Sequence, residues 1–367
     1  MPIIIFLIIL AILVLVHELG HFLTAKFFGI RVDEFGIGFP PRLWSFKKGE
    51  TVYSINLLPL GGFVKIFGEN YDEADKVGKD KGRSFVEKPK WVQTIVLAAG
   101  VTCNVLLAWL AISAGFISGL PVSTDYGSTY KVQDAHIVVT SILSKSPAEE
   151  SGLKAGDTIL FIESKGTGLQ GEDLNVDKIY DLIAKSEGEK ITILLKRGSD
   201  NSTVNLEAKQ GVVAGKYAIG VTMANVGILS LPPHLALIEG FKFTYRMTID
   251  TAVGLYQFLS QAVIGKANLS QVSGPVGIVS LVGDATRLGF AYLINLTAII
   301  SINLAIINLL PMPALDGGRI LFVLIEAIKR KPINPNVAQT VNAIGFALLL
   351  LLMVVITYND IIKLVIK

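Results

Sequence analysis

The sequence has little charge and almost no cysteine. Only 17% of its 367 residues are Asp, Glu, Lys or Arg, whereas an ordinary soluble domain has about 25%. The net formal charge of +3 is too small and too dispersed to indicate a nucleic-acid partner. Cys103 is the single cysteine, which excludes an internal disulfide and a zinc site built from several thiolates.

Apolar residues are abundant instead, at 51% of the chain, and the mean hydropathy is +0.56. They predict four membrane-spanning helices, at about residues 3–28, 92–120, 290–310 and 338–357. The first run has no basic segment before it and leads into polar residues rather than a small-residue cleavage site. We therefore expect it to be a retained span. The composition predicts a polytopic α-helical membrane protein with room for one soluble domain.

Basic residues cluster beside the ends of these spans, at Lys26, Arg31, Lys88, Lys90, Arg319 and Lys329 to Lys331. Because short loops rich in Lys and Arg stay in the cytoplasm, these loops are expected on the cytoplasmic side. Both termini and residues 121–288 are then expected outside. The lysines of that long segment do not contradict this, because long domains translocate largely regardless of charge.

The segment after the second span has the pattern of a soluble α+β domain. β-branched runs predict strands at 137–142 and 191–196, and apolar spacing predicts a helix at 176–185. Residues 146–157 predict a short helix, a glycine stop and a turn into a strand at 158–162.

Three other segments have patterns of their own. Residues 51–67 predict a small sheet or hairpin near the membrane. Residues 70–83 are charged and predict a solvated loop. Residues 235–264 contain Lys242 and Arg246 among apolar residues, and we expect an amphipathic helix at the outer interface rather than a fifth span.

The first span contains His17-Glu18-Leu19-Gly20-His21 in its later half. Residues four apart on a helix share a face, so His17 and His21 can bind one metal ion. Glu18 then lies beside the metal, where it can accept a proton from water. A charged residue at the centre of a membrane helix costs about 2.5–3.5 kcal/mol, which favours a site over the alternative of a polar helix end.

Five stretches in the chain resemble motifs of the site-2 protease family of intramembrane zinc metalloproteases, in its bacterial RseP-like branch. They are His17 to His21, Pro59-Leu60-Gly61-Gly62-Phe63-Val64-Lys65, Ala99-Gly100-Val101-Thr102-Cys103-Asn104, Ser273-Gly274-Pro275-Val276-Gly277-Ile278 and Asn308 to Gly318. Residues 152–157, Gly-Leu-Lys-Ala-Gly-Asp, resemble a turn of PDZ domains. Where the family's third motif usually has proline, Val101 stands here. The better-known members carry two PDZ domains, and this chain has room for one.

The resemblance implies the remaining site residues. Asp316 of the Leu-Asp-Gly motif is the implied third zinc ligand, and a helix-capping role is the alternative. Asn308 is implied to hold substrate or the oxyanion, or otherwise to bond between helices. The family's β element takes up substrate as an extended strand; a purely structural hairpin is the alternative. Its implied substrate-binding residues are Gly61, Gly62, Phe63, Val64 and Lys65.

The expected organisation follows the motifs along the chain. Residues 1–120 hold the first two spans and a cytoplasmic-side β loop at 29–90. Residues 121–212 form one extracytoplasmic PDZ domain. Residues 213–287 hold the amphipathic helix and the Ser-Gly-Pro-Val-Gly-Ile segment, and residues 288–367 hold the last two spans with the Leu-Asp-Gly motif.

The resemblance implies a zinc-dependent endopeptidase in the bacterial cytoplasmic (inner) membrane, with its active site toward the cytoplasm. Implied partners are the lipid bilayer, single-span membrane protein substrates such as anti-sigma factors or remnant signal peptides, and a peptide ligand of the PDZ domain. Nucleic acid is not expected. Two other hypotheses are a catalytically idle adaptor that recruits partners through the PDZ domain, and a transporter with Glu18 and Asp316 in a proton relay.

Overall fold

A computed structural model of the protein describes residues 1–69, 82–124, 130–143, 146–198, 200–213, 216–266 and 272–365. The loop predicted at 70–83 lies almost wholly outside them. The helices are α1 Pro2–Phe27, α2 Lys90–Ser118, α3 Pro147–Glu150, α4 Val176–Lys185, α5 Pro233–Val263, α6 Pro275–Leu288, α7 Phe290–Leu309, α8 Asp316–Lys329 and α9 Pro335–Val365. The strands are β1 Val32–Lys48, β2 Thr51–Ile66, β3 Leu120–Ser123, β4 Gln133–Ile142, β5 Thr158–Ser164, β6 Thr167–Gln170, β7 Lys190–Arg197, β8 Asp200–Glu207, β9 Lys209–Val213, β10 Lys216–Ala218 and β11 Val221–Leu229.

The chain divides into two compact units. The first consists of residues 1–114, 237–286 and 293–367, and the second of 115–236 with 287–292. Four helices in the described residues, α1, α2, α7 and α9, are long and apolar enough to cross a membrane, which confirms the four predicted spans. Only 6% of the most apolar window of α9 is buried in protein, so nearly all of its apolar surface is available to lipid.

The first unit holds three further helices. The helix predicted at 235–264 is present as α5, and its position at the membrane interface stays a prediction. The sequence analysis did not predict α6 or α8. α6 packs against the first span, because its Val282 lies in one buried apolar cluster with Ile9 and Leu13 of α1. α8 begins at Asp316, within the Leu-Asp-Gly motif. It was not predicted because its 14-residue amphipathic pattern is short and lies between two stronger apolar runs.

Residues 51–66 lie in a small sheet, which is one of the two alternatives expected there, but the sheet is not a hairpin within residues 51–67. Those residues form one strand, β2, which pairs with β1, a strand that was not predicted. Phe35 of β1 pairs with Val64 on one side and with Tyr53 on the other. β1 was not predicted because Pro40-Pro41 lies within it, and proline disfavours a paired strand since it has no amide hydrogen to donate.

The second unit contains a sheet in the order β3-β11-β4-β5-β7-β8, with β6 beside β5. α4 buries Ile179, Leu182 and Ile183 against it at the spacing of one helix face. The predicted strands and the helix at 176–185 are confirmed. The sheet continues to Leu229, beyond residue 212, because β11 reaches its position by pairing with distant β4, and local periodicity does not report such pairing.

A turn between α3 and β5 stabilises the second unit. Gly152 has φ of +84°, a conformation that glycine adopts without steric cost. Asp157 is only 1% exposed, and its carboxylate accepts hydrogen bonds from the Lys154 amide at 2.8 Å and from the Arg197 guanidinium at 2.7 Å. The bond to Asp157 raises the pKa of Arg197. The turn predicted at 146–157 is therefore confirmed.

Candidate metal centre

The two histidines of the first span lie on one buried face of α1. His17 is 6% exposed and His21 is 7% exposed. Their Nε2 atoms are 3.2 Å apart, as the four-residue spacing on a helix predicts. Each imidazole therefore presents one nitrogen to the same point.

Asp316 reaches that point from the other end of the chain. Its Oδ2 lies 2.9 Å from Nε2 of His17 and 3.4 Å from Nε2 of His21. Asp316 is the first residue of α8, so the bend between α7 and α8 directs its side chain toward α1. The helix-capping alternative does not describe this placement, because Leu315 is the N-cap residue of α8. The three predicted ligands are thus brought together.

The other ring nitrogen of each histidine has a protein neighbour. Nδ1 of His21 donates to the Val96 carbonyl at 2.8 Å, which leaves Nε2 with a lone pair for a metal. Nδ1 of His17 lies 3.3 Å from the side-chain amide of Asn104. The Asn104 Oδ1 is buried without a hydrogen-bond partner among the described residues. Because amide oxygen and nitrogen are assigned from hydrogen bonding, the reversed amide is also consistent, and it would accept from Nδ1 of His17.

The donor set and the space around it fit zinc. Two imidazoles and one carboxylate are the ligands that catalytic zinc takes in several enzymes, with a position left for water. Gly100 of α2 borders the donor atoms, and a Cβ there would lie only 2.4 Å from Nε2 of His21. Glycine at this position therefore keeps the space beside the ring nitrogens open.

Glu18 and Asn308 border the same cavity. It has a volume of about 210 Å³ and is lined by Val14, His17, Glu18, Leu304, Asn308, Ala314, Leu315 and Asp316. Glu18 follows His17 on α1 and projects into this space, where a carboxylate can exchange a proton with water. Asn308, in the last turn of α7, offers an amide to a carbonyl in the cavity. The sequence analysis named both residues.

The glycines of β2 pass directly against this part of α1. A Cβ at Gly61 would lie 3.4 Å from Val14, and one at Gly62 would lie 3.8 Å from Cγ of Glu18 and 2.9 Å from the Gly36 carbonyl oxygen. Both glycines thus lie at van der Waals distance from α1, and a side chain at position 62 would clash with the backbone of β1. The structure thus places Gly61 and Gly62 beside the catalytic candidate.

The other three residues predicted on this strand lie further from the metal ligands. The Phe63 ring covers Gly36, and Val64 packs in a buried cluster near Val32. Lys65 is exposed and pairs in register with Glu34. No described strand pairs with the side of residues 62–65 that faces away from β1, so these residues form an edge of the sheet.

Two ion pairs hold the surrounding elements in place. Glu326 of α8 is 4% exposed, and it accepts from Lys90 at the start of α2 at 2.5 Å. Glu50, in the turn between β1 and β2, accepts from Lys26 of α1 at 2.6 Å. The bond from Lys26 lowers the pKa of Glu50, with a further contribution from Arg83. The ion pair between Lys26 and Glu50 therefore holds the sheet of β1 and β2 against α1, the helix that carries His17 and His21.

Sequence reasoning assigned no role to Asn104 and missed the contributions of Val96 and Gly100. Asn104 was found as part of a family motif. A second signal was available, because a buried amide in an apolar span is costly and marks function more often than chance. Gly100 stands in the same family motif, although the motif alone gave it no role. Nothing in the local sequence distinguishes the Val96 carbonyl from its neighbours, since only the crossing of α1 and α2 brings it to His21.

This geometry defines a membrane-embedded protein with a zinc-type hydrolase site, and comparisons with known proteins agree. The model of peptidase family M50 matches residues 5–352. RasP of Geobacillus kaustophilus, a zinc metalloprotease, is 33% identical across 98% of this chain and 97% of its own. The regulator of sigma-W protease RasP of Bacillus subtilis is 31% identical across 97% of each. A Clostridium perfringens relative is 37% identical across 95% of each.

The chain belongs to peptidase family M50, the site-2 protease family. It is a zinc metalloprotease of the membrane, and zinc is its cofactor. The resemblance stated from the sequence motifs is confirmed, and the hypothesis of a catalytically idle adaptor is not favoured.

Proposed function

We propose that this zinc metalloprotease hydrolyses peptide bonds within membrane-spanning segments, with His17, His21 and Asp316 holding the zinc ion. The observation that carries the proposal is the convergence of three donor groups within 4.8 Å of one another, although Asp316 is 299 residues from His17 in the sequence. Zinc, when bound, supplies Lewis-acid polarisation of the scissile carbonyl and lowers the pKa of water.

The residues around the proposed ligands supply proton transfer, a hydrogen bond to the reacting carbonyl and exclusion of bulk water. Glu18 accepts a proton from the attacking water and later delivers it to the leaving amine. Asn308 borders the cavity and donates its amide hydrogen to the substrate carbonyl oxygen, where negative charge develops. Val14 and Leu304, apolar residues of the same cavity, limit bulk water around the reacting groups.

We propose that substrate enters as an extended strand along β2. A peptide bond inside a helix is shielded, so a spanning segment must unwind before cleavage. The open edge of residues 62–65 can satisfy the backbone groups released by unwinding, and Gly62 places that edge next to Glu18. Single-span membrane proteins suit this route, since one helix can unwind without disturbing a bundle.

The catalytic role of Glu18 is tested by Glu18→Gln in protein purified in detergent. We expect cleavage of a single-span test substrate to fall by at least about 100-fold, because proton transfer typically contributes 10²–10⁴-fold. Zinc content, measured by elemental mass spectrometry, should stay unchanged because Glu18 is not a ligand. Turnover near the wild-type rate would exclude the role assigned to Glu18.

The ligand set is tested by the zinc content of Asp316→Asn. We expect one zinc per chain in the wild type and a reduced content in the variant, because the amide is a weaker ligand than the carboxylate. Asp284→Asn is the matched control, since Asp284 is an exposed acid that is not part of the cluster. Equal zinc content in all three proteins would remove Asp316 from the site.

We propose that the second unit is a single PDZ domain outside the cytoplasm, with the metal centre toward the cytoplasmic side of a bacterial inner membrane. Support comes from the Gly-Leu-Lys-Ala-Gly-Asp turn, from the groove between α4 and β11, and from the basic residues beside the spans. The groove suits an extended peptide ligand. The name of the Bacillus subtilis relative, a regulator of sigma-W, favours anti-sigma factors as substrates, beside remnant signal peptides.

A further inference from the structure

A groove in the second unit lies between α4 and the start of β11. Its cavity has a volume of about 560 Å³, within the range of small-ligand sites. Apolar residues including Ile142, Ile183 and Ile219 line it, and its charged lining residues are Asp181 and Lys216.

β11 has an open edge along this groove. β4 pairs with one side of β11, from Val221 to Ile228, while β3 covers the other side only from Val226 to Leu229. Among the strands that the structure describes, none covers that other side over residues 221–225. The backbone groups of Val221 and Met223 that point away from β4 are therefore not paired with any described strand, and an added strand could bond them if nothing else did.

The side chain of Tyr180 already holds these backbone groups. The Met223 amide donates to the Tyr180 hydroxyl at 3.1 Å, and the hydroxyl donates to the Val221 carbonyl at 3.5 Å. Residues two apart on a strand present their groups to the same side, so the Val221 carbonyl and the Met223 amide would both bond an added strand. One hydroxyl thus occupies the donor and the acceptor needed at the start of strand addition.

Tyr180 can leave this position without unpacking the unit. Its side chain lies at the surface with 39% exposure, and the core contacts of α4 come from Ile179, Leu182 and Ile183. A rotation about its side-chain bonds would free the edge of β11 and leave the helix in place. The contact is therefore reversible on the scale of a side-chain rotation.

We propose that Tyr180 keeps the groove closed by occupying the edge of β11, so that an extended peptide binds only when the Tyr180 side chain is displaced. This inference rests on the proposed peptide-binding role of the second unit. The apparent affinity of such a site is reduced by the fraction of molecules in which it is open. Tyr180 thereby weakens the binding of every extended peptide by the same factor, because each peptide must replace both hydrogen bonds.

The test is Tyr180→Phe in the full-length protein in detergent, which removes the hydroxyl and keeps the ring. Hydrogen exchange of the Met223 amide should become faster by about 2- to 13-fold, since a net hydrogen bond contributes about 0.5–1.5 kcal/mol. A fluorescein-labelled octapeptide of alternating threonine and valine, ending in valine with a free carboxylate, should bind about 5-fold more tightly. Added peptide should restore the protection of the Met223 amide.

Tyr217→Phe is the matched control, because Tyr217 lines the same cavity and bonds to neither Val221 nor Met223. It should change neither exchange nor affinity. Unchanged exchange in Tyr180→Phe would show that the hydroxyl does not hold the strand edge. Weaker peptide binding would show that the hydroxyl contacts the peptide, and absence of binding to the opened variant would show that Tyr180 is not the barrier. Each of these results overturns the proposal, whereas failure of the protease mechanism would appear separately in Glu18→Gln.

Discussion

Asn104 illustrates how single residues outside the ligand set shape the metal centre. It is fully buried, its side-chain amide borders Nδ1 of His17, and its backbone carbonyl accepts from Ser301 of α7 at 2.7 Å. A ring nitrogen that is held by a neighbour fixes the tautomer and the orientation of the histidine. Asn104, on α2, therefore connects α7 to the candidate metal ligand His17 on α1.

We expect Asn104→Leu to lower zinc affinity by about 10- to 100-fold, the usual effect of removing a group that orients a metal ligand. Competition with a chromophoric chelator measures this directly. Asn303→Leu is the control, because Asn303 is on α7 and its amide, among the described residues, donates to the backbone carbonyl of Ile299 within its own helix. Equal affinities in the two variants would refute an orienting role for Asn104.

At the scale of elements, the crossing of α1 and α2 determines the site. A Cβ at Gly20 would lie 2.4 Å from the Ala99 carbonyl oxygen, so the two helices approach to backbone contact beside His21. Small residues permit such close crossings in membranes. The same crossing brings the Val96 carbonyl to the His21 ring and places Gly100 beside its Nε2 atom.

Gly20→Ala should separate these helices and lower both the melting temperature and the zinc affinity. The added methyl group meets backbone, which cannot rotate away, and overpacking costs about 1–3 kcal/mol. Gly254→Ala in α5 serves as control, since a Cβ there meets nothing within 4 Å. The control should be neutral or slightly more stable because alanine favours helix. Thermal unfolding in detergent distinguishes the two, and equal melting temperatures would contradict the close crossing.

In the second unit, Arg197→Ala tests the turn before β5. The change leaves the Asp157 carboxylate buried at 1% exposure without its guanidinium partner, and breaking such a pair costs about 3–5 kcal/mol. Hydrogen exchange of β5 and β7 in the full-length protein should rise strongly. Lys209→Ala removes the exposed pair with Glu150 and should change little. Comparable exchange in both variants would show that the Asp157 pair does not stabilise the unit.

Across the whole molecule, the metal centre joins distant parts of the chain. Its proposed ligands come from α1 and from α8, which lie far apart in the sequence, and the elements between them include the second unit. A bound ion that contacts both ends stabilises the folded state over the unfolded chain.

Removal of zinc with a chelator should therefore lower the melting temperature of the wild type. A ligand at a thousand times its dissociation constant stabilises a protein by about 4 kcal/mol. A double variant, His17→Ala with His21→Ala, should melt at a lower temperature and should not respond to the chelator. An equal response in the double variant would place the stabilising metal elsewhere.

The sequence by itself predicted the membrane class, the four spans, two candidate metal ligands, His17 and His21, and the elements of the second unit from 137 to 197. Each depends on local signals, such as apolar length, helical spacing or a glycine stop, that act within one segment. The family motifs added Asp316, because only a pattern shared across proteins relates it to the histidines 299 residues away.

Only the tertiary structure revealed the features that depend on contacts between segments far apart in the sequence. β1 became a strand in spite of Pro40-Pro41 because the residues on either side of the prolines pair with β2, on both edges of β1 at residues 34–37. α8 became a helix that begins at Asp316. The neighbours of the histidine rings and the contact of Tyr180 with β11 likewise arise between segments far apart in sequence. Their energies depend on distances between packed elements, and no local periodicity encodes those distances.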